Sequence, residues 1–236
     1  MNPEEIKFDV LDEGVHDPYV FKAIFVVGAP GSGKSTIERN LGLEARGLKS
    51  LNADSTMLRL KNIRPSMNNQ DYPHAGATTE RRFHVWRNDY LGLVLNTTGR
   101  NLNTISKLNE NLKSSYYNTF MLYVDVDEKI AKERILSRQM TTTSPEDKNR
   151  QVDMDYFNTA YSSVKNNLKQ YSSMFEERNF ALVRNDDFNL LAPDFEVARK
   201  KLNKFLLTPA SPEAQAILKG ISNKQYDGLG RRYAKI

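Results

Sequence analysis

The chain has 236 residues, 39% of them hydrophobic, with 34 Lys and Arg against 29 Asp and Glu, three histidines and no cysteine. That length leaves room for one full-size α/β domain with an insertion or a tail. The composition excludes a disulfide framework and a thiolate metal site, and no run approaches the ~18 apolar residues of a membrane helix. The formal charge of +5 suits an anionic ligand such as a nucleotide or a nucleic acid without selecting one. Met1-Asn2-Pro3-Glu4-Glu5 does not read as a signal peptide, so the expected compartment is the cytoplasm.

Residues 1–20 are polar with little periodicity and read as an N-terminal extension. Phe21–Val27 is an apolar strand that runs into Gly28-Ala29-Pro30-Gly31-Ser32-Gly33-Lys34-Ser35-Thr36, after which a helical pattern begins. This is the phosphate-binding loop pattern G-x-x-x-x-G-K-[ST] in its meaningful context of strand, loop and helix. Glycines let backbone N–H groups approach phosphate oxygens, Lys34 adds a mobile charge, and the helix start adds its positive dipole end. Ser35 supplies the hydroxyl expected on Mg2+. A glycine turn with a solvated lysine is the competing reading, and both flanks argue against it.

Gly47 marks a turn, Leu48–Ala53 reads as a short second strand, and residues 55–63 read as a helix. Residues 64–78 are rich in turn formers and read as a loop, with a polar helix over 79–90; together 64–90 form an acceptor-side insertion. Leu91–Leu95 is a third strand ending in Asn96-Thr97-Thr98-Gly99-Arg100, and Ile105, Leu108 and Leu112 keep helical spacing. Phe120–Val126 is a strong fourth strand, and Asp127 caps a helix carrying Ile130, Ala131 and Ile135. A polar lid loop spans 139–151. The stripe Phe157, Tyr161, Val164, Leu168, Tyr171 and Phe175 marks a long helix. Phe180–Val183 is a fifth strand, 194–206 a last helix, and 207–236 a tail without a strong core pattern.

Five strands alternating with helices imply right-handed βαβ units. The expected fold is therefore an α/β P-loop NTPase: a five-stranded, mostly parallel sheet with helices on both faces, its domain spanning 21–206. Ligands of such sheets bind beyond the carboxyl ends of the strands. The loops at 28–36, 54, 96–100 and 184–187 would all open onto that edge.

Asp54, at the end of the second strand, can take the proton of an acceptor hydroxyl or reach Mg2+ through water. It equally suits a helix N-cap. Arg134 and Arg138 share a helix face before the lid and can clamp a triphosphate, or simply be solvated; Arg150 is a weaker candidate. Arg81, Arg82, His84, Trp86 and Arg87 form a basic and aromatic cluster able to hold a phosphate or stack a base, against the plainer reading of an exposed helix with Trp86 docked on the core. Arg100 is the better acceptor-side candidate. Asn185, Asp186 and Asp187 close the fifth strand, where a nucleobase or a plain turn would fit. Asp125-Val126-Asp127 lacks the residues of a phosphatase pair, since Glu128 and Lys129 follow it.

Together these residues resemble the P-loop kinases that include zeta toxins, polynucleotide kinases and adenylate-kinase-like enzymes. They resemble most a zeta-toxin-like kinase family of tailed bacteriophages. The resemblance runs over residues 12–206 and is carried by Glu13-Gly14-Val15-His16-Asp17-Pro18, the phosphate loop, Gly47-Leu48-Lys49 through Asn52-Ala53-Asp54, and the arginine-bearing helix. It implies that Gly28–Thr36 bind ATP phosphates, that Asp54 is the acceptor-side base, and that Arg134 and Arg138 are lid arginines. The family's Asp-Gly-Thr-Gly after the third strand stands here as Asn96-Thr97-Thr98-Gly99. That removes a carboxylate able to partner Mg2+ or its waters.

The leading expectation is an ATP- and Mg2+-dependent kinase with Lys34, Asp54, Arg134 and Arg138 as its catalytic residues. Asn185 would contact the nucleotide, Arg87 and Arg100 the acceptor, and Ser35 and Asp54 the metal. The acceptor could be a nucleotide, a nucleotide sugar or a polynucleotide end. The alternative is a catalytically weak nucleotide-binding phage accessory or structural protein, favoured by Asn96 and by the basic tail end Arg231–Lys235. A motor ATPase ranks third, because no Asp-Glu pair closes the third or fourth strand.

Overall fold

Lys22–Val27 form β1, and every residue of it is buried. A strand buried on both faces needs helices above and below, and the rest of the chain supplies them. The computed structural model describes residues 19–67, 69–141, 152–187 and 192–227. Most of the N-terminal extension, positions 142–151 of the lid loop with Arg150, and the basic tail end lie outside the described residues.

After β1 come α1 (Lys34–Asn40), β2 (Lys49–Leu51), α2 (Ala53–Ile63), α3 (Tyr72–Asn88), β3 (Leu93–Thr97) and α4 (Leu102–Ser114). Then follow β4 (Asn118–Asp125), α5 (Glu128–Thr141), α6 (Met154–Met174), β5 (Phe180–Arg184), α7 (Pro193–Leu207) and α8 (Pro212–Asp227). The sheet order is β2-β3-β1-β4-β5, and all four pairings are parallel. β1 is central, flanked by β3 with Phe25 opposite Leu95 and by β4 with Phe25 opposite Met121.

Alternation along the strands sends side chains to two cores. On one face Phe25, Val27, Leu95, Met121 and Tyr123 pack with Leu112 of α4 and with Val164 and Tyr171 of α6. On the other, Ile24, Val26, Val94, Leu122 and Val124 pack with Ile37 of α1 and with Phe195, Leu202 and Phe205 of α7. Each fully buried large apolar side chain stabilises the fold by roughly 1.5–3 kcal/mol relative to exposure. A third cluster lies beyond the sheet edge, where Ala29 of the phosphate loop meets Ala131 and Ile135 of α5 and Phe157 of α6.

Several elements differ from the sequence expectation. β2 is only three residues long, because Asn52 turns the chain and caps α2, accepting hydrogen bonds from the amides of Asp54 and Ser55. The capping residue is therefore Asn52, and Asp54 stands in the first turn of α2. The expected loop over 64–78 is helical from Tyr72 onward, because Pro73 sits at the start of α3, where a missing N–H costs nothing. β3 ends at Thr97, two residues later than expected. α5 continues to Thr141, into the segment expected to be lid loop. The tail contains α8, whose Ala214 is buried and whose Ile217 and Leu218 pack on the α4/α6 side of the core.

The turn after β3 is held from α6. Tyr171 donates its hydroxyl to the Gly99 carbonyl, and Asn167 Nδ2 donates to the carbonyls of Gly99 at 3.3 Å and Arg100 at 3.1 Å. Gly99 has φ +70°, and a Cβ there would overlap Val27 Cγ1. Gly99→Ala is expected to cost about 2–3 kcal/mol, lowering the melting temperature by roughly 5–10 °C in a calorimetric scan.

Candidate functional site

The carboxyl ends of β1, β2, β3, β4 and β5 share one edge, and the phosphate loop lies at its centre between β1 and α1. Gly31 has φ +79°, and a Cβ there would come within 2.6 Å of the Ala131 carbonyl oxygen. Only glycine permits that approach of the loop to α5. Lys34 opens α1, and its Nζ donates to the carbonyls of Gly28 at 2.7 Å and Ala29 at 3.1 Å. The ammonium thus lies across the loop it belongs to. Ser35 is exposed beside it.

The loop is braced from behind. Asn185, 2% exposed, donates its Nδ2 to the Ser32 carbonyl at 2.7 Å. Arg134 of α5 donates to the carbonyls of Asn185 and Asp186, each at 2.7 Å, and reaches Gly31 O at 3.5 Å. Burial pulls its pKa below the ordinary guanidinium range, opposed by the nearby Asp186 carboxylate. Both residues therefore tie the end of β5 to the phosphate loop. Arg138, one turn further along α5, is half-buried on the same helix face. Arg134→Lys is expected to cost about 1–2 kcal/mol, because an ammonium lacks the planar fork whose two arms reach the Asn185 and Asp186 carbonyls separately. A lower urea midpoint at unchanged slope would show it.

On the other side of the loop, Asp54 is half-buried in the first turn of α2 and accepts a 2.7 Å hydrogen bond from the Tyr72 hydroxyl. Arg100 follows the turn after β3, its guanidinium 5.3 Å from the centroid of the Tyr156 ring. Arg87 is elsewhere. It lies near the end of α3 that leads into the start of β3, bonded to Asn111 at 2.5 Å, at the opposite edge of the sheet. The structure brings Gly28–Thr36, Asp54, Arg100, Arg134 and Asn185 to the carboxyl edge and leaves Arg87 out. Arg82 stacks on Trp86 at 4.6 Å, and Trp86 packs on the core, as the plainer reading of that cluster has it.

Three groups at this edge were not singled out from the sequence. Tyr72 was hidden in the expected loop. Lys165 of α6 pairs with Asp125 at the end of β4, 2.5 Å apart. Glu38 of α1 is buried and bonded to Ser50 and Asn96. Only the packing of α6 and α1 against the sheet could have revealed the last two.

Among the described residues no group of three or more His, Cys, Asp or Glu could hold a metal ion. The donor set suits Mg2+, which keeps several waters and binds through one or two side chains plus phosphate oxygens. Ser35 and Asp54 carry oxygens of that kind. No helix among the described residues is long and apolar enough to cross a membrane.

A parallel sheet ordered β2-β3-β1-β4-β5, with this phosphate loop at its centre, is the framework of a P-loop kinase. Residues 13–193 match the zeta toxin family, and the chain belongs to that family. It is thus a P-loop kinase and a nucleotide-binding phosphotransferase. Solved structures share the fold. A candidate kinase of Chloroflexus aurantiacus j-10-fl is 14% identical at TM-score 0.57, covering 78% of this chain and 97% of its own. A chain of the PezAT chromosomal toxin-antitoxin system of Streptococcus pneumoniae is 16% identical at TM-score 0.51, covering 97% and 98%. A chain of the AvrRxo1-ORF1:-ORF2 complex with ATP is 13% identical at TM-score 0.58, covering 78% and 64%. No curated protein matches the chain.

Proposed function

We propose that the carboxyl edge transfers the γ-phosphoryl group of ATP to an oxygen of a separate acceptor, a hydroxyl or a phosphate. The observation that carries this reading is the placement of Asp54. It is an acid at the head of α2, oriented by Tyr72, on the same edge as the phosphate loop. The complex with ATP of a chain that shares this fold supports the choice of nucleotide.

The loop amides and Lys34 would hold the β- and γ-phosphates, Lys34 exchanging its bonds to Gly28 and Ala29 for phosphate oxygens. Mg2+, when bound, would neutralise charge on the triphosphate, and Ser35 and Asp54 are the residues that would hold it. Asp54 would orient the acceptor in line and accept its proton as the acceptor oxygen bonds to phosphorus. The bond to the bridging oxygen breaks and ADP leaves. Arg138 would serve the triphosphate and Arg100 the acceptor, while Arg134 would hold the loop in shape.

The test offers γ-labelled ATP and Mg2+ with nucleosides, nucleotides, nucleotide sugars and 5′-hydroxyl oligonucleotides. Label on one acceptor class supports the reading and names the substrate. ATP binding with no label on any of them would leave a nucleotide-binding accessory protein instead.

A further inference from the structure

Glu38 lies on the second turn of α1, three residues beyond Ser35 and four beyond Lys34, so it follows the phosphate-loop side chains along one helix face. It is 7% exposed. Its Oε1 accepts from Ser50 Oγ of β2 at 2.6 Å, and its Oε2 accepts from Asn96 Nδ2 of β3 at 2.7 Å. Burial pushes its pKa up, and the Ser50 and Asn96 hydrogen bonds, together with the Lys34 charge, pull it back.

A carboxylate buried this far costs several kcal/mol unless fixed partners and charge offset it. An apolar side chain of similar volume would fill the space between α1 and the sheet without that cost. The apolar core on that side of the sheet, which holds Ile37 and Leu41 beside α1 and Val94 of β3, asks for no charge. The group one turn away does, because Lys34 is a cation and Ser35 is the hydroxyl that would meet Mg2+. Asn96 fits the same logic. With an acid on α1, the facing residue on β3 has to donate, and an amide does. Two carboxylates at that distance could not both ionise.

We propose that Glu38 is the fixed negative charge behind the phosphate loop, a positioning residue that favours Mg2+ at Ser35 and fastens β2 and β3 to α1. This inference rests on the kinase reading. The acid and the amide form one unit whose halves can be exchanged.

The test uses the full chain as Glu38→Gln, Asn96→Asp, the double variant Glu38→Gln/Asn96→Asp, and Glu38→Met. The readouts are the melting temperature without nucleotide and the calorimetric Kd for ATP across a Mg2+ series. Glu38→Gln is expected to weaken the Mg2+-dependent part of ATP binding by about 10-fold, with metal-free ATP binding unchanged. Asn96→Asp alone should melt lower, from repulsion between the two acids. The double variant, with the acid now on β3 and the amide on α1, should return to within about 3-fold of the natural chain. Glu38→Met, which needs no polar partner, should fold and still lose the Mg2+ dependence.

An unchanged Mg2+ series in Glu38→Gln or Glu38→Met, whatever the melting temperature does, would overturn the proposal. So would a double variant no better than the worse single one. ATP binding that persists in these cases keeps the kinase reading intact. Absence of ATP binding by the unsubstituted chain would overturn both.

Discussion

Lys34→Ala is expected to reduce ATP-dependent phosphoryl transfer by about 10³-fold or more, equivalent to ~4 kcal/mol of transition-state stabilisation. The side chain is the cation at the centre of the loop, and the Gly28 and Ala29 carbonyls it donates to are neutral. Phosphate oxygens are stronger acceptors for an ammonium than carbonyl oxygens, so the exchange on nucleotide binding is downhill. The loss should fall on kcat as well as on KM, because charge on the transferring group develops in the transition state. Lys34→Arg should rescue little, since a planar fork does not occupy the space of a point charge. Steady-state kinetics with labelled ATP would check both variants. The fold should survive, because Lys34 is only half-buried and begins its helix rather than filling a core.

Asp54→Asn is expected to lower kcat by about 10²- to 10⁴-fold while leaving the Kd for metal-free ATP within a few-fold of its natural value. The amide keeps the size of the acid and can still accept the Tyr72 hydroxyl hydrogen bond, so the start of α2 should persist. The cap of that helix is Asn52, so Asp54→Asn removes no capping bond. What it removes is a carboxylate able to take a proton and to hold Mg2+. Paired kcat and nucleotide-binding measurements separate that loss from a general collapse of the site.

These expectations rest on elements that differed in how openly the sequence displayed them. The phosphate loop was legible because its requirement is local: an apolar strand, glycines at fixed offsets, a lysine and a helix start. β4 was legible for a similar reason, as an unbroken apolar run long enough for a strand buried on both faces. α3 was misread where Pro73 and Gly76 looked like breakers, although proline opens a helix readily. α8 did leave a signal, in Ala214, Ile217 and Leu218 at helical spacing, but it was too short to stand out in a polar tail.

The braces of the site were less visible. Arg134 was recognisable as an arginine on a helix face, but not that carbonyls at the end of β5 would meet it. Asn185 stood at a plausible nucleotide position and lies instead 2% exposed beneath the loop, bonded to Ser32. Glu38 carries no local signal of its role. Its partners lie 12 and 58 residues away in sequence, and only the β2-β3-β1 order brings them beside α1.

The most direct measurement of the central claim follows labelled γ-phosphate as it partitions between acceptor and water, in the natural chain and in Asp54→Asn side by side. The account predicts label on the acceptor well above inorganic phosphate in the natural chain, and loss of that acceptor label in Asp54→Asn while ATP still binds. Label appearing only as inorganic phosphate, at the same rate in both chains, would contradict it.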